Sequence, residues 1–400
     1  WPRSQEIGKN GWKPSYKFHQ PDLERILYNR IRNLPGVDIK KGWEAIEAVS
    51  NANSVSLRVS DTKSDTIYNI ESDFVVGCDG ARSFVRNHMG IELEDFGFVE
   101  DWLVVDIVLK KERPDLGLFS IQFCGGEQPA TYSPGTGHRL RWEFALKEGT
   151  CKEEALNPEY VWGLLSRWVN SDEADIERKA IYTFRSTLAN DWVKGRFVLA
   201  GDSAHLTPPF MGQGMCAGIR DASNLAWKIA SCLRIKHNEA ILNSYQSERS
   251  LNVKEYIETT MRMGEFVNAV ESIQITKNIS SNDQGVKSMQ SIKPKLGKGL
   301  GQLKDKNRGK IFPQFKLKKN KNLDDYFSKK GIIILSSGIS AKNIKNCSLL
   351  KVKNLKSISA YLKNINSKAI LVRPDRFILG SANSGKQISS LIKKNSFILR

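Results

Sequence analysis

Apolar and polar positions alternate in short runs between residues 37 and 73, for example in VSLRVS (55–60), and predict two or three strands separated by polar turns. A helical period comes earlier, over 19–34, where Leu23, Ile26, Leu27 and Ile31 recur on one face. Pro21 suits the first helical turn, Asp22 and Glu24 complement the positive N-terminal end, and Pro35-Gly36 ends the run. Two segments share a third pattern of short apolar strand, Gly/Asp turn and helix: 72–90 and 195–233. In the second, FVLA is a continuous apolar run suited to a strand buried on both faces of a parallel sheet. The helix after it keeps helical spacing at Ile219, Ala222, Ala226, Ile229 and Leu233, which predicts its apolar face.

The stretch between these segments is strand-rich, with WLVVDIVL (102–109), LFSIQF (118–123) and LRWEFAL (140–146), followed by a helical stretch holding Trp162, Leu165 and Trp168. Residues 243–270 read as helix, and residues 1–18 as a loop or edge segment. Residues 276–310 are rich in Ser, Gly, Asn and Lys and are expected to be a linker. From 311 a small α/β pattern begins, with strands at 331–337 and 369–374, mixed helix over 340–364 and a helix at 384–394. No internal repeat is visible.

Composition narrows the classes. The chain has 400 residues, which suggests two or three domains, and 40% apolar residues can fill a sizeable core. The net charge of +18 is unevenly placed. Residues 1–270 carry 33 basic and 37 acidic side chains, and residues 271–400 carry 28 and 6, so the basicity belongs to the last third. There the lysines are scattered among Asn and Ser with no nucleic-acid motif, so nucleic acid is not an expected partner. Six isolated cysteines form no C-x-x-C pair, which argues against a zinc ribbon or a disulfide scaffold and fits a reducing, cytoplasmic setting. No metal site is expected, because no histidines or cysteines have ligand spacing. No apolar run is long enough to span a membrane, and no signal peptide is recognisable. The chain starts at Trp1 rather than Met, and the expectation is that its true N-terminus is missing.

Two strings carry candidate chemistry. In residues 195–215, Gly201-Asp202 follows the apolar strand at its carboxyl end, where open α/β sheets place ligands. A carboxylate there can accept hydrogen bonds from sugar-type hydroxyls. Pro208-Pro209 stiffens the next turn, Gly212-Gln213-Gly214 lets the backbone approach a flat ligand, and the helix from about 215 points its positive end at that ligand. In residues 74–86 the pattern D-G-x-x-S-x-V-R is met by Asp79, Gly80, Ser83, Val85 and Arg86. Asp79 can cap the next helix, and Arg82 and Arg86 can offer positive charge to a pyrophosphate. The plainer alternatives are a Gly-rich loop without a ligand and an N-capped surface helix with two solvated arginines.

These strings, VVGCDGARSFVR (75–86) and RFVLAGDSAHLTPPFMGQGMCAGIRDASNLAWKIA (196–230), resemble two fingerprints of the group A flavoprotein aromatic hydroxylases, the family with the p-hydroxybenzoate hydroxylase fold. FHQPDLERIL (18–27) is similar to a further family segment, whose glutamine, here Gln20, contacts flavin. PPFMGQGMCAGIRDA resembles the 3-(3-hydroxyphenyl)propionate hydroxylase branch, and LVRPDRFILG (371–380) after FPQF (312–315) resembles a C-terminal thioredoxin-like domain. The family opens with strand–G-x-G-x-x-G–helix, and that string is absent here.

The resemblance implies an α/β FAD/NAD(P)-binding three-layer fold lacking its first βαβ unit. Its implied parts are a substrate-domain segment at 1–18, FAD-binding parts at 19–98 and 191–275, a β-rich substrate domain at 99–190, the linker at 276–310 and a thioredoxin-like domain at 311–400. The implied reaction is hydroxylation of a phenolic aromatic, possible substrates including 3-(3-hydroxyphenyl)propionate, with FAD, NADH or NADPH, and O2, through a C4a-hydroperoxyflavin. The implied cofactor residues are Gln20, Asp79, Gly80, Arg86, Gly201, Asp202, Pro209, Gly212, Gln213, Gly214 and Met215. His205 is the one candidate acid/base, with a structural role as its alternative. Arg139, Arg141 and Arg185 are candidates for a substrate carboxylate. A homodimer is compatible with all of this. Competing readings are a truncated, catalytically incompetent remnant, another FAD-dependent oxidation on the same scaffold, and a basic binding module.

Overall fold

The computed structural model describes residues 6–8, 10–124, 128–234, 238–268, 279–281, 287–289, 292–301, 304–318, 321–326, 332–335, 348–351 and 355–395. Helix α1 (Gln20–Ile31) forms where the period predicts it, with Pro21 in its first turn. Its apolar positions are nevertheless bare, with Ile26 63% and Leu27 51% exposed. The spacing therefore reports a helix but not a core. Strands β1 (Trp43–Ser50), β2 (Val55–Asp61) and β3 (Ile67–Ser72) make an antiparallel meander, and β4 (Val75–Gly77) leads into α2 (Phe84–His88).

The strand-rich middle comprises β5 (Leu93–Leu109), β6 (Ile121–Phe123), β7 (Ala130–Pro134), β8 (Arg139–Ala145), α3 (Lys152–Ala155), α4 (Pro158–Leu165) and β9 (Ala174–Ala189). Next come β10 (Val193–Lys194), β11 (Phe197–Leu199) and β12 (His205–Leu206). An antiparallel sheet in the order β12-β9-β5-β8-β7-β6 carries Leu103, Val105, Ile107, Trp142 and Phe144 on one face, packed with Val161 and Leu165 of α4. Trp168 lies beyond the end of α4, its ring 5.9 Å from that of Trp142. The FVLA run behaves as its composition demands. Strand β11 is buried along its length and pairs in parallel with β4.

Helices α5 (Gly214–Arg234) and α6 (Glu239–Asn268) follow. Here the apolar stripe misleads. Ile219 and Leu233 are 58% and 52% exposed, and Ala222 and Ala226 are exposed too. The inward face combines Ala217, Leu225, Trp227 and Cys232 with Asp221, Asn224, Lys228 and Ser231. Those polar groups are buried because partners from distant segments meet them.

The C-terminal region begins with two small hairpins, β13 (Ile279–Ser281) with β14 (Lys287–Met289) and β15 (Lys316–Lys318) with β16 (Lys321–Asn322), followed by α7 (Leu323–Tyr326). Strands β17 (Ile332–Leu335) and β18 (Ser348–Lys351), α8 (Lys356–Asn364), β19 (Ala369–Val372), β20 (Ile378–Ala382) and α9 (Gly385–Lys394) complete it. The sheet order is β18-β17-β19-β20, with β17/β18 parallel and the other pairs antiparallel. Of the mixed helix expected over 340–364, residues 348–351 instead form strand β18, since they pair in parallel with β17, and α8 begins at Lys356; residues 336–347, with Cys347, and 352–354 lie outside the described residues. The expected linker is packed over its last part. Leu296 is buried, and Gly297 lies so close to α6 that a Cβ there would sit 2.2 Å from the Ser247 carbonyl oxygen.

One carboxylate joins these parts. Glu248 of α6 accepts hydrogen bonds from Lys228 Nζ (2.8 Å), Asn224 Nδ2 (3.1 Å), Arg373 Nη1 (2.7 Å) and the Leu300 amide (2.9 Å). Arg373 also pairs with Asp375. Burial alone would raise the Glu248 pKa, but the Arg373 and Lys228 charges outweigh it and hold the group at about 2. The folded value lies below that of an unfolded glutamate, so this stabilisation is present above about pH 4.5 and fades as pH falls towards 2. Removing one partner of such a buried set strands the others. Glu248→Ala is therefore expected to cost about 3–5 kcal/mol in urea unfolding at pH 7. Glu177→Ala, which breaks the surface pair with Arg139, should cost under about 1 kcal/mol.

Candidate functional site

The turn after β11 is built from behind. Gly201 has φ +65° and comes so near Gly218 of α5 that a Cβ on Gly218 would lie 3.5 Å from the Gly201 Cα. The Gly201 amide donates to Asp221 Oδ2 (3.1 Å). The same carboxylate takes His205 Nε2 at 2.6 Å and Arg249 Nε at 2.7 Å, all three side chains being buried. Burial works to raise the Asp221 pKa, yet the His205 and Arg249 charges and hydrogen bonds win and lower it. Tyr245 donates its hydroxyl to the Leu199 carbonyl (3.0 Å), and Ser203 Oγ donates to the Gly77 carbonyl (2.6 Å). The turn is thereby fixed to both parallel strands and to both long helices.

The front of the turn is open. Asp202 is exposed and has no hydrogen-bond partner among the described residues, and its partial desolvation raises its pKa. Pro209 opens a single 3-10 turn that ends at Gly212, which has φ +59° and so much free space that a Cβ added there would meet no atom within 4 Å. Gln213 donates to the Met211 carbonyl (3.3 Å), Gly214 starts α5, and Met215 is exposed. The structure thus brings Gly201, Asp202, Pro209 and Gly212 to Met215 together along the carboxyl end of β11 and the start of α5.

The remaining candidates are placed differently. Gln20 is hydrogen-bonded to Glu24 within α1 (2.8 Å). The N-cap of α2 is Ser83, whose Oγ accepts from the Arg86 amide (3.0 Å); Asp79 supports it, accepting from Ser83 Oγ and from the Val85 amide (3.0 Å), and Gly80 adopts φ +78° in that turn. Arg86 does not face outward to a phosphate. Its guanidinium is buried and donates to the Ser203 carbonyl (3.0 Å) and the Ala81 carbonyl (2.7 Å), stapling the two strings together. His205 is enclosed beneath the Trp192 ring, at 5.3 Å. Sequence reasoning missed Asp221, Arg249, Gly218 and Ser203. Asp221, Gly218 and Ser203 stand in the 196–230 string, but the pairing of Asp221 with Arg249 spans 28 residues and leaves no local pattern.

Across from the turn lies the face of the large sheet that α4 does not cover. Phe210, from the Pro209–Met211 turn, sets its ring 5.6 Å from Trp102 and 5.7 Å from Phe98. A Cβ at Gly264 of α6 would meet Phe210 Cε2 at 2.5 Å, so α6 fixes that ring from the other side. Of the arginines considered for a substrate carboxylate, Arg139 is held by Glu177 (3.0 Å) and Arg141 is bidentate on Asp106 (2.6 and 2.9 Å), while Arg185 is exposed.

Comparison with known proteins shows the family. Residues 3–260 match the family model described as FAD binding domain. The chain is 36% identical over 314 residues to a probable NADH-specific resorcinol 4-hydroxylase of Rhodococcus jostii (strain RHA1), covering 77% of this chain and 58% of that protein. It is 32% identical over 259 residues to a 3-(3-hydroxy-phenyl)propionate/3-hydroxycinnamic acid hydroxylase of Mycolicibacterium smegmatis, covering 64% of this chain and 45% of that protein. The chain therefore spans about half the length of these relatives. In fold it is similar to aklavinone-11 hydroxylase, solved with FAD and aklavinone, with a TM-score of 0.76 at 19% identity over 97% of this chain and 80% of that one. It is also similar to the flavin-dependent monooxygenase PieE, with a TM-score of 0.75 at 15% identity over 95% and 79%.

The two carboxylates of the turn should respond oppositely to neutralisation. Asp221→Asn leaves the buried Arg249 charge without its counter-ion and is expected to cost about 3–5 kcal/mol. Asp202→Asn removes an exposed, unpaired charge and should leave the melting temperature unchanged or slightly higher. Thermal unfolding followed by circular dichroism reads both.

Proposed function

The chain belongs to the FAD-binding-domain family, and from that premise we propose that it acts as an FAD-dependent monooxygenase that hydroxylates a phenolic ring with NAD(P)H and O2. The observation that carries the proposal is the Asp202 carboxylate. It is exposed and unpartnered among the described residues, on a turn that buried groups brace from every other side. Desolvation raises its pKa although it is exposed, and a perturbed carboxylate at the carboxyl end of a buried strand marks a ligand position. Hydroxyls of a ribityl chain are donors of the right kind.

The residues fit the flavin end of the cofactor. Asp202 would accept from the ribityl hydroxyls, and the open backbone from Gly212 to Met215 would lie along the flat ring edge. The start of α5 would favour negative charge on the reduced ring. The FAD supplies the oxygen-transfer chemistry when bound. The chain orients it and, with Phe210, Trp102 and Phe98, keeps water from the reacting face. The relatives' names support a phenolic substrate and a nicotinamide co-substrate. The sheet β18-β17-β19-β20 with α8 and α9 supports reading 311–400 as thioredoxin-like, and without a C-x-x-C it would be redox-inert.

The residues do not fit the pyrophosphate end equally well. Arg86 and Asp79 are engaged within the fold, which favours a second reading, a chain that folds yet holds FAD weakly. Titration of the purified chain with FAD, followed by flavin absorbance and fluorescence, separates the two. Saturable binding in the micromolar range is expected, and Asp202→Ala should weaken it about ten-fold or more. No binding at cofactor concentrations up to the millimolar range supports the second reading.

A further inference from the structure

The sheet face that looks towards the Gly201–Met215 loops is layered. Nearest the loops are Phe184, Trp102 and Tyr182, with Phe210 against Trp102. The next layer pairs Ala180, Val104, Glu143 and Thr131 across β9, β5, β8 and β7. Beyond it lie Arg178, Asp106, Arg141 and Ser133. Cross-strand partners share a face, so Glu143 stands one strand across and one layer out from Trp102.

The other carboxylates around this layer are satisfied. Asp106 is taken by Arg141, Glu100 by the Trp102 indole N–H (2.8 Å), Asp101 by Lys152 (2.8 Å) and Glu177 by Arg139. Glu143 is different. Its side chain is only 18% exposed, no hydrogen bond reaches it among the described residues, and its nearest cation, Arg141 Nη1, is 4.0 Å away and committed to Asp106. Burial raises its carboxyl pKa, Arg141 opposes this and Asp106 adds to it. A largely buried carboxylate beside a wall of aromatic rings lacks a donor.

We propose that Glu143 is the residue that receives the hydroxyl of the aromatic substrate, whose ring lies against the partly exposed rings of Phe210 and Tyr182, beside the buried Trp102. The inference rests on the hydroxylase reading for what the ring meets on its other side. The O–H hydrogen points at a Glu143 carboxylate oxygen. On transfer the proton moves to that oxygen and the substrate becomes a phenolate, with electron density raised at the ring carbons ortho and para to it. The ligand class is thus an aromatic ring carrying a free hydroxyl, and a ring whose hydroxyls are methylated should be refused.

Calorimetric titration of the full chain with resorcinol and with 1,3-dimethoxybenzene, in the presence and absence of FAD, tests this. The unsubstituted chain should bind resorcinol about ten-fold more tightly or better, the range of a charge-assisted hydrogen bond. In Glu143→Leu that ratio should fall to within about two-fold. If circular dichroism shows Glu143→Leu misfolded, Glu143→Gln carries the test. Resorcinol affinity should then fall with acid in the unsubstituted chain, as the carboxylate that accepts the hydroxyl becomes protonated, and be flat in the variant. A ratio unchanged in Glu143→Leu, identical pH profiles, or an unsubstituted chain that binds both compounds alike or neither overturns the proposal. Failure of FAD to bind leaves the ratio measurable on the FAD-free chain and counts against the hydroxylase reading alone.

Discussion

The turn at Gly201-Asp202 depends on the Asp221 carboxylate. It is buried inside α5 and accepts from the Gly201 amide, from His205 and from Arg249 of α6. A negative charge in that place is tolerable only because a guanidinium and an imidazole face it. In return it fixes the left-handed Gly201 turn, sets α5 against α6 and holds His205 at the end of the large sheet, where β12 pairs with β9. Asp202 follows directly on the Gly201 that Asp221 holds, and the two carboxylates divide the work. The inner one is neutralised and holds the turn. The outer one is exposed, with no hydrogen-bond partner among the described residues, where the proposed ligand would lie.

The same arrangement recurs along α5. One and two turns further, Asn224 and Lys228 meet Glu248, which also takes Arg373 from the C-terminal sheet. The helix that begins at the proposed flavin edge is thus tied by buried charge to α6 and to the C-terminal sheet. The basic last third contributes Arg373 to that junction, and Arg373 also lies 5.1 Å over the Trp227 ring. Much of the inward face of α5 is polar, so the helix owes its position to specific pairings as well as to apolar packing.

This explains what the sequence could and could not say. The buried β11 strand, the turn at Gly201-Asp202 and the helix from Gly214 were legible, because a continuous apolar run, a Gly/Asp pair and a helical period are local signals. The inward face of α5 was not. The regular apolar stripe through Ile219 and Leu233 lies outside, and Asp221, Asn224 and Lys228 of the core side pair with residues 16 to 151 positions away. Arg86 misled for the same reason. Its sequence context suggested a phosphate, while its partners are backbone carbonyls that no pattern announces. Helix α1 is legible as a helix, but the exposure of Ile26, Leu27 and Ile31 shows that period alone does not report burial.

The central claim is that the turn is rigid before any cofactor arrives, held by Asp221. Amide hydrogen exchange at Gly201 and Ala204 in the FAD-free chain tests it most directly, since these amides donate to Asp221 and to the Gly201 carbonyl. The account predicts strong protection at both, comparable to the β11 amides, and its loss in Asp221→Asn. Exchange at the rate of an open loop in the unsubstituted chain, with protection appearing only when FAD is added, would contradict it.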